Sequence, residues 1–300
     1  MKVAITGSTG LIGTALRRRL EAAGHRVTPV VRRVVADGES AIAWDPAAGT
    51  IDAAGLEGHD GVVHLAGAGI GDKRWNDARK RVLVESRTRG TELLATTLAG
   101  LDARPAVLVS GSAIGYYGDR GDEELSETSG PGDDFLAKLC VDWEAAATPV
   151  RDAGIRLATI RTGVVLARQG GALAKLLPLF KLGLGGRFGS GRQWWSWITI
   201  EDQVEAIIWL LSRPVWGPVN LTGPEPATNA ELTRALGRVL HRPTVVPVPH
   251  FGPGLLVGPE LAEALLFTSA RVHPDALLAS GYRFQHAELP DALRSVLDQT

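Results

Sequence analysis

A short β-branched run, Lys2–Thr6 (KVAIT), ends directly in the stretch "TGSTGLIG". Gly7, Gly10 and Gly13 stand three residues apart between that strand and an amphipathic segment, Leu11–Ala23, in which Leu16 and Leu20 are four apart; Gly24 closes the segment. Few features restrict a fold so strongly. A first glycine allows a tight strand-to-helix turn, a second lets backbone approach a pyrophosphate, and a third lets helix pack closely on strand. Unpaired N–H groups and the positive end of the helix dipole then face the phosphates. The strand–turn–helix context favours a dinucleotide site over a tight turn that serves packing only.

The same alternation continues along the chain. His25–Val31, Gly61–Leu65, Ala106–Ser110 and Arg156–Ile160 read as buried strands, although Pro29 removes one ladder donor from the first of them. Asn76–Ala99 reads as a long helix. Phe135, Leu139 and Trp143 recur every four residues, which predicts a helix over Asp134–Ala147 with Asp133 as its cap. Strands alternating with helices through residue 165 predict an α/β fold, a doubly wound parallel sheet.

Beyond that point the texture changes. Five glycines fall within 183–191, and "RQWWSW" follows with three tryptophans. Alternation there sends Trp195 and Trp197 to one face and Trp194 to the other. Helices are expected at Ile200–Leu211 and Glu231–Leu240, strands at Pro218–Thr222 and Val245–Val248, and short helices at Glu260–Phe267 and Pro274–Leu278. The chain thus divides into a dinucleotide-binding domain, 1–165, and a smaller C-terminal substrate lobe, 166–300, partly interleaved with the sheet.

Composition narrows the function. With 45% hydrophobic and 22% charged residues the chain is globular, and a net charge of −1 supplies no field to recruit nucleic acid or a membrane. The N-terminal apolar run is broken by glycine too early for a signal peptide. No run of apolar residues is long enough for a transmembrane helix. One cysteine, Cys140, cannot form an internal disulfide, so cytoplasmic residence is expected. The seven histidines show no metal-ligand spacing, so no metal site is expected, and no GxSxG elbow is present for serine hydrolase chemistry. At the end of the second strand stand Arg32 and Arg33 rather than an acidic residue. Guanidinium groups suit a 2′-phosphate, which favours NADP over NAD; the alternative is that both are solvated surface charges.

Four segments in order, "TGSTGLIG", "DGVVHLAG" (60–67), "SGSAIGYYG" (110–118) and "GSGRQWWSWITIEDQVEA" (189–206), resemble the extended short-chain dehydrogenases/reductases, a Rossmann-type group that includes nucleotide-sugar epimerases. "GDDFLAKLCVDWE" and the ending "ARVHPDALLASGYRFQHAELPDALRSVL" are similar to an atypical, epimerase-like subgroup, related to the NAD-dependent epimerase/dehydratase family, whose members include cell-division inhibitor-like proteins. The resemblance implies that Gly7, Ser8, Thr9, Gly10, Leu11, Ile12 and Gly13 contact the pyrophosphate, and that Arg32 meets the adenosine phosphate. It further implies that His64, Leu65, Ala66 and Gly67 line the adenine–ribose side and that Arg87 lies near the nicotinamide ribose. Ser112 would be the active-site serine and Lys138 the family lysine.

One element of that chemistry is missing. The family uses a tyrosine four residues before the lysine, on one helix face. In "DFLAK" Asp134 occupies that place, and a carboxylate with an ordinary pKa near 4 is a poor proton donor at neutral pH. A helix cap or an ion pair with Lys138 is the structural reading of Asp134. Tyr116 and Tyr117, just after Ser112, are the remaining candidates for the proton. The expected function is therefore an NADP-binding, epimerase-like oxidoreductase on an unknown small-molecule substrate, as monomer or homodimer. The alternative is a non-catalytic NADP-binding regulator or scaffold, linked to cell division through the subgroup's plastid relative.

Overall fold

The structure, a computed structural model, describes residues 1–36 and 38–298. Its centre is an eight-stranded sheet in the spatial order Gly217–Leu221, Arg156–Thr162, Val107–Ala113, Gly61–His64, Lys2–Thr6, Arg26–Val31, Ile42–Asp45, Thr50–Ile51. Every neighbouring pair is parallel except the last, where Ile42–Asp45 and Thr50–Ile51 run antiparallel. Pro29 is tolerated because pairing with Ile42–Asp45 begins one residue later, at Val30.

Side-chain alternation along these strands feeds two cores. Val3 and Ile5 enter one with Val63, Val107 and Val109; Ala4 enters the other with Val62 and Leu108. Both faces are apolar because helices cover both, as a parallel sheet requires. Helix Leu11–Ala22 buries Leu16 and Leu20 completely on the first face, beside helix Ile200–Ser212. Helix Asp77–Gly100 covers the second, with Leu94 and Leu98 fully buried. Each such aliphatic side chain contributes about 1.5–3 kcal/mol.

The order of strands reverses at Lys2–Thr6. The chain proceeds to one side through Arg26–Val31 and Ile42–Asp45, and to the other through Gly61–His64 and beyond. The carboxyl ends of Lys2–Thr6 and Gly61–His64 therefore diverge into connections on opposite sides. In open α/β sheets that crevice is where ligands bind.

The last strand of the large sheet, Gly217–Leu221, comes after residue 165, so the C-terminal part contributes to the sheet as well as to its own core. That second core holds Trp195 and Trp197, as the alternation anticipates, with Leu177, Phe180, Leu232, Leu236 and Leu293. Trp194 points elsewhere: its indole N–H donates to Asp122 at 2.8 Å and Arg271 lies over its ring. One buried carboxylate fastens the C-terminal segment to helix Ile200–Ser212. Asp202 accepts from the backbone N–H of Gln285 at 2.8 Å and of His286 at 3.0 Å, and from the Tyr282 hydroxyl at 3.2 Å. Val245–Val248, expected as a strand, is not one; Val248 alone bridges to Phe188, and prolines on both sides of it, Pro247 and Pro249, remove the ladder donors.

Candidate functional site

The crevice opens on the glycine turn. Gly7 adopts φ +67°, and a Cβ there would lie 2.8 Å from the Leu65 carbonyl carbon. A Cβ on Gly13 would lie 2.2 Å from the Gly7 carbonyl oxygen, so the third glycine packs directly on the first. Gly10 is the N-cap of helix Leu11–Ala22 and no side chain caps its first turn, which leaves the orphan N–H groups facing the crevice. A cavity of about 640 Å³ runs from here along the strand ends. Gly7–Gly10 and Leu65–Ala68 line one end, Val30–Arg33 the middle, and Trp44–Ala47 the far end; Val82, Glu85, Ser86 and Arg89 of the long helix form the opposite wall. Leu11 borders a separate groove between the two helices of the first face, and Ile12 and Gly13 lie outside the cavity lining. Arg32 and Arg33 are both exposed, but Arg33 forks onto the Glu39 carboxylate.

His64 is placed differently from its expected role. Its ring is fully buried and lies outside the cavity lining, while Leu65, Ala66 and Gly67 line it. The Thr6 hydroxyl accepts from the N–H groups of Leu65 and Ala66, at 3.1 Å each, so its own proton goes to His64 Nδ1 at 2.7 Å. His64 Nε2 then donates to the Thr91 hydroxyl at 2.9 Å, which also accepts from Trp143 Nε1 at 3.0 Å. Donor counting fixes the neutral tautomer with its proton on Nε2. The histidine is a latch between the crevice turn and two helices.

Burial, with the charge of Arg87, pushes the His64 pKa from 6.5 down to about 4. Above pH 6.5 the ring is neutral folded and unfolded, and its stabilisation is complete. As pH falls from 6.5 to 4 the unfolded chain binds a proton that the folded one refuses, and about 3 kcal/mol of stability is lost. Urea midpoints across that range should fall more steeply for the native chain than for His64→Gln. Parallel declines would show that another group senses the pH.

Around Ser112 the structure assembles a buried polar chain. Ser112 Oγ donates to Glu144 Oε1 at 2.7 Å. Arg161, at the end of the neighbouring strand, grips the same carboxylate through Nε at 2.8 Å and a terminal nitrogen at 2.9 Å. Its other terminal nitrogen donates to the Tyr117 hydroxyl at 3.1 Å, and that hydroxyl donates to Asn220 Oδ1 at 2.7 Å. Tyr117 has no exposed surface, and burial pushes its pKa up to about 12. Its proton is committed to the scaffold. Tyr116 is half-buried, with its ring 3.4 Å from the Arg161 guanidinium carbon, and among the described residues its hydroxyl has no hydrogen-bond partner.

Helix Phe135–Ala146 shows what replaces the missing tyrosine. Asp134 is its N-cap, accepting from the Ala137 N–H at 2.8 Å, so the cap falls one residue later than expected and Asp134 is outside the helix. The face turned to the Ser112 strand carries Leu136, which packs on Gly115, then Cys140 beside Ser112, then Glu144. These are spaced i, i+4, i+8 and so share one side. Lys138 is about 200° around the helix from Leu136 and is exposed. The structure does not bring it to Ser112. Burial, reinforced by Glu144, pushes the Cys140 thiol up to about 12, which keeps it protonated. In the sequence this face is marked by the four-residue spacing of Leu136, Cys140 and Glu144, whereas Lys138 lies on the exposed side of the helix.

Arg87 lies beneath the crevice turn. It is 7% exposed, donates to the carbonyl oxygens of Ala68 at 3.0 Å and Leu83 at 3.2 Å, and stacks 4.9 Å from the Trp143 ring. Burial pulls its pKa down to about 10, and its Nε has no hydrogen-bond partner among the described residues. Arg87 lies outside the cavity lining, packed beneath Gly67 rather than facing the open crevice.

Comparison with known proteins agrees with this geometry. The model of the NAD dependent epimerase/dehydratase family matches residues 3–222, and that of a domain of unknown function, DUF1731, matches residues 248–296. The chain is 45% identical over 292 residues to the epimerase family protein Mb2239 of Mycobacterium bovis, covering 97% of this chain and 96% of that one. It is 38% identical to the human epimerase family protein SDR39U1, covering 99% of this chain and 100% of the relative. A crystal structure of human SDR39U1 (isoform 2) with NADPH superimposes with a TM-score of 0.91 over the full length of both chains, at 36% identity. With its glycine cradle, its reversed strand order and this full-length likeness, the chain belongs to the NAD dependent epimerase/dehydratase family.

Proposed function

We propose that this protein binds NADP(H) in the crevice and acts as an epimerase-like oxidoreductase on a small molecule. The carrying observation is the cradle itself: at Gly7 and Gly13 any side chain would collide with backbone, while the uncapped helix end and Arg32 supply donors for pyrophosphate and 2′-phosphate. Full-length likeness to a relative crystallised with NADPH supports the same reading. Leu65–Gly67 would contact the ribose beside the pyrophosphate, with Arg87 packed beneath Gly67. A bound nicotinamide would supply the hydride chemistry.

The residues around Ser112 define what the chain adds. Because the Ser112 proton points at Glu144, its oxygen offers lone pairs to a ligand hydroxyl or amide donor. Tyr116 is the tyrosine with an uncommitted hydroxyl, and its ring is held against the Arg161 guanidinium. Tyr116 is thus the proton carrier of this proposal, with Tyr117 holding Arg161. Cytoplasmic residence and a monomer or homodimer belong to the same proposal.

A second reading has its own observation. The helix face against Ser112 carries Leu136, Cys140 and Glu144 and no tyrosine or lysine, which fits an NADP-binding regulator without turnover. Fluorescence titration should show tighter binding of NADPH than NADH. NADPH oxidation against a panel of aldehydes and ketones separates the readings. Turnover that drops by about 100-fold in Tyr116→Phe supports the enzyme. Binding with no turnover on any carbonyl supports the regulator.

A further inference from the structure

We propose that Arg32 and Arg89 form a two-armed clamp for the cofactor 2′-phosphate, so that cofactor choice is set from the long helix as well as from the second strand. The inference rests on the NADP(H) reading above.

Three observations lead to it. First, Arg33, the neighbour of Arg32, is engaged: both terminal nitrogens meet the Glu39 carboxylate, and one also donates to the Val34 carbonyl at 3.1 Å. Second, helix Asp77–Gly100 crosses the cavity in a known direction. Ser86 receives the Ala68 N–H at 3.1 Å, next to the glycine turn. One turn later, Gly90 packs against the ring of Trp44, with its Cβ position 3.5 Å from that ring and 3.8 Å from Pro46. Arg89 is therefore carried at the far, adenosine end of the cavity, on the wall opposite the strand ends, and it lines that cavity as an exposed side chain. Third, among the described residues neither Arg32 nor Arg89 forms an ion pair.

Charge makes the second arm necessary. Two carboxylates, Asp45 and Glu85, also line this cavity. Asp45 is partly satisfied by the N–H groups of Ala47 at 2.9 Å and Ala48 at 3.2 Å, but Glu85 stands one turn before Arg89 on the same helix. A phosphate dianion entering between them meets repulsion that one guanidinium does not offset. A guanidinium from each wall does, and each presents a planar fork that matches phosphate oxygens.

The test measures affinity rather than turnover. NADPH, NADH and 2′,5′-ADP are titrated against the native chain, Arg32→Ala, Arg89→Ala and Arg89→Lys, with thermal midpoints checking the fold. Each alanine variant should weaken NADPH and 2′,5′-ADP by about tenfold or more and change NADH by less than about twofold. Arg89→Lys should recover part of the loss. Unchanged NADPH affinity in Arg89→Ala would overturn the clamp. So would equal weakening of NADPH and NADH, which would make Arg89 an adenine contact. A native chain with no preference between NADPH and NADH would instead sink the underlying NADP(H) reading.

Discussion

Glu144→Ala should destabilise the fold by about 3–5 kcal/mol, because it leaves Arg161 charged and buried without its partner. The Arg161 side chain is 4% exposed and that of Glu144 17%, and both nitrogens on the carboxylate side of Arg161 are spent on this one group. Among the described residues no other negative group contacts that side of the guanidinium; its remaining contacts are the Tyr117 hydroxyl, the Glu127 backbone carbonyl and the Tyr116 ring. The same substitution frees the Ser112 proton, so damage to the site and damage to the fold arrive together. Urea denaturation measures the stability change. Arg161→Met combined with Glu144→Ala should recover much of the loss, since an apolar replacement removes the stranded charge. A single-variant change below about 1 kcal/mol would mean that water reaches the pair and the network is worth no more than a surface ion pair.

Gly13→Ala is the second large effect. A methyl group 2.2 Å from the Gly7 carbonyl oxygen cannot be accommodated by a rotamer, because both partners are backbone. Either helix Leu11–Ala22 moves off the strand or the turn opens. Overpacking of this kind destabilises by about 1–3 kcal/mol. The larger consequence is for binding. The turn is what aims the helix N–H groups, and its displacement should weaken NADPH by about 100-fold. Gly24→Ala is the comparison: its Cβ meets nothing within 4 Å, so only the strain of its φ of +77° is felt. NADPH affinity in the two variants, measured by titration, should therefore diverge. Equal affinities would show that the close approach at Gly13 does not shape the phosphate site.

The parallel sheet and the glycine cradle could be read from residues because both are local: a β-branched run, a glycine triplet and a periodic helix each carry their signal within a dozen positions. Strand Ile42–Asp45, four residues with one polar end, carries too short a pattern to be legible in the sequence. Helix Gly171–Lys181 was hidden by Pro178 inside it, although Leu173, Leu177 and Phe180 form its buried stripe. The wall of the cavity that includes Arg89 depends on where a long helix crosses distant strand ends, which no local pattern encodes. His64 shows the opposite limit. Its place in the sequence beside the crevice turn was clear, but whether its ring faces ligand or core was decided by Thr6 and Thr91, residues 58 and 27 positions away.

Asp202 joins two stretches of chain separated by more than 80 residues through one carboxylate. Loops ordinarily open and close on their own, at a small fraction of the global unfolding free energy. Here the amides of Gln285 and His286, which belong to no helix or strand, are held by a group that is 1% exposed on a helix in the main core. Opening that loop would strand a buried negative charge. The loop and helix Ile200–Ser212 are thereby coupled into one cooperative unit, so the C-terminal segment melts with the Rossmann core rather than ahead of it.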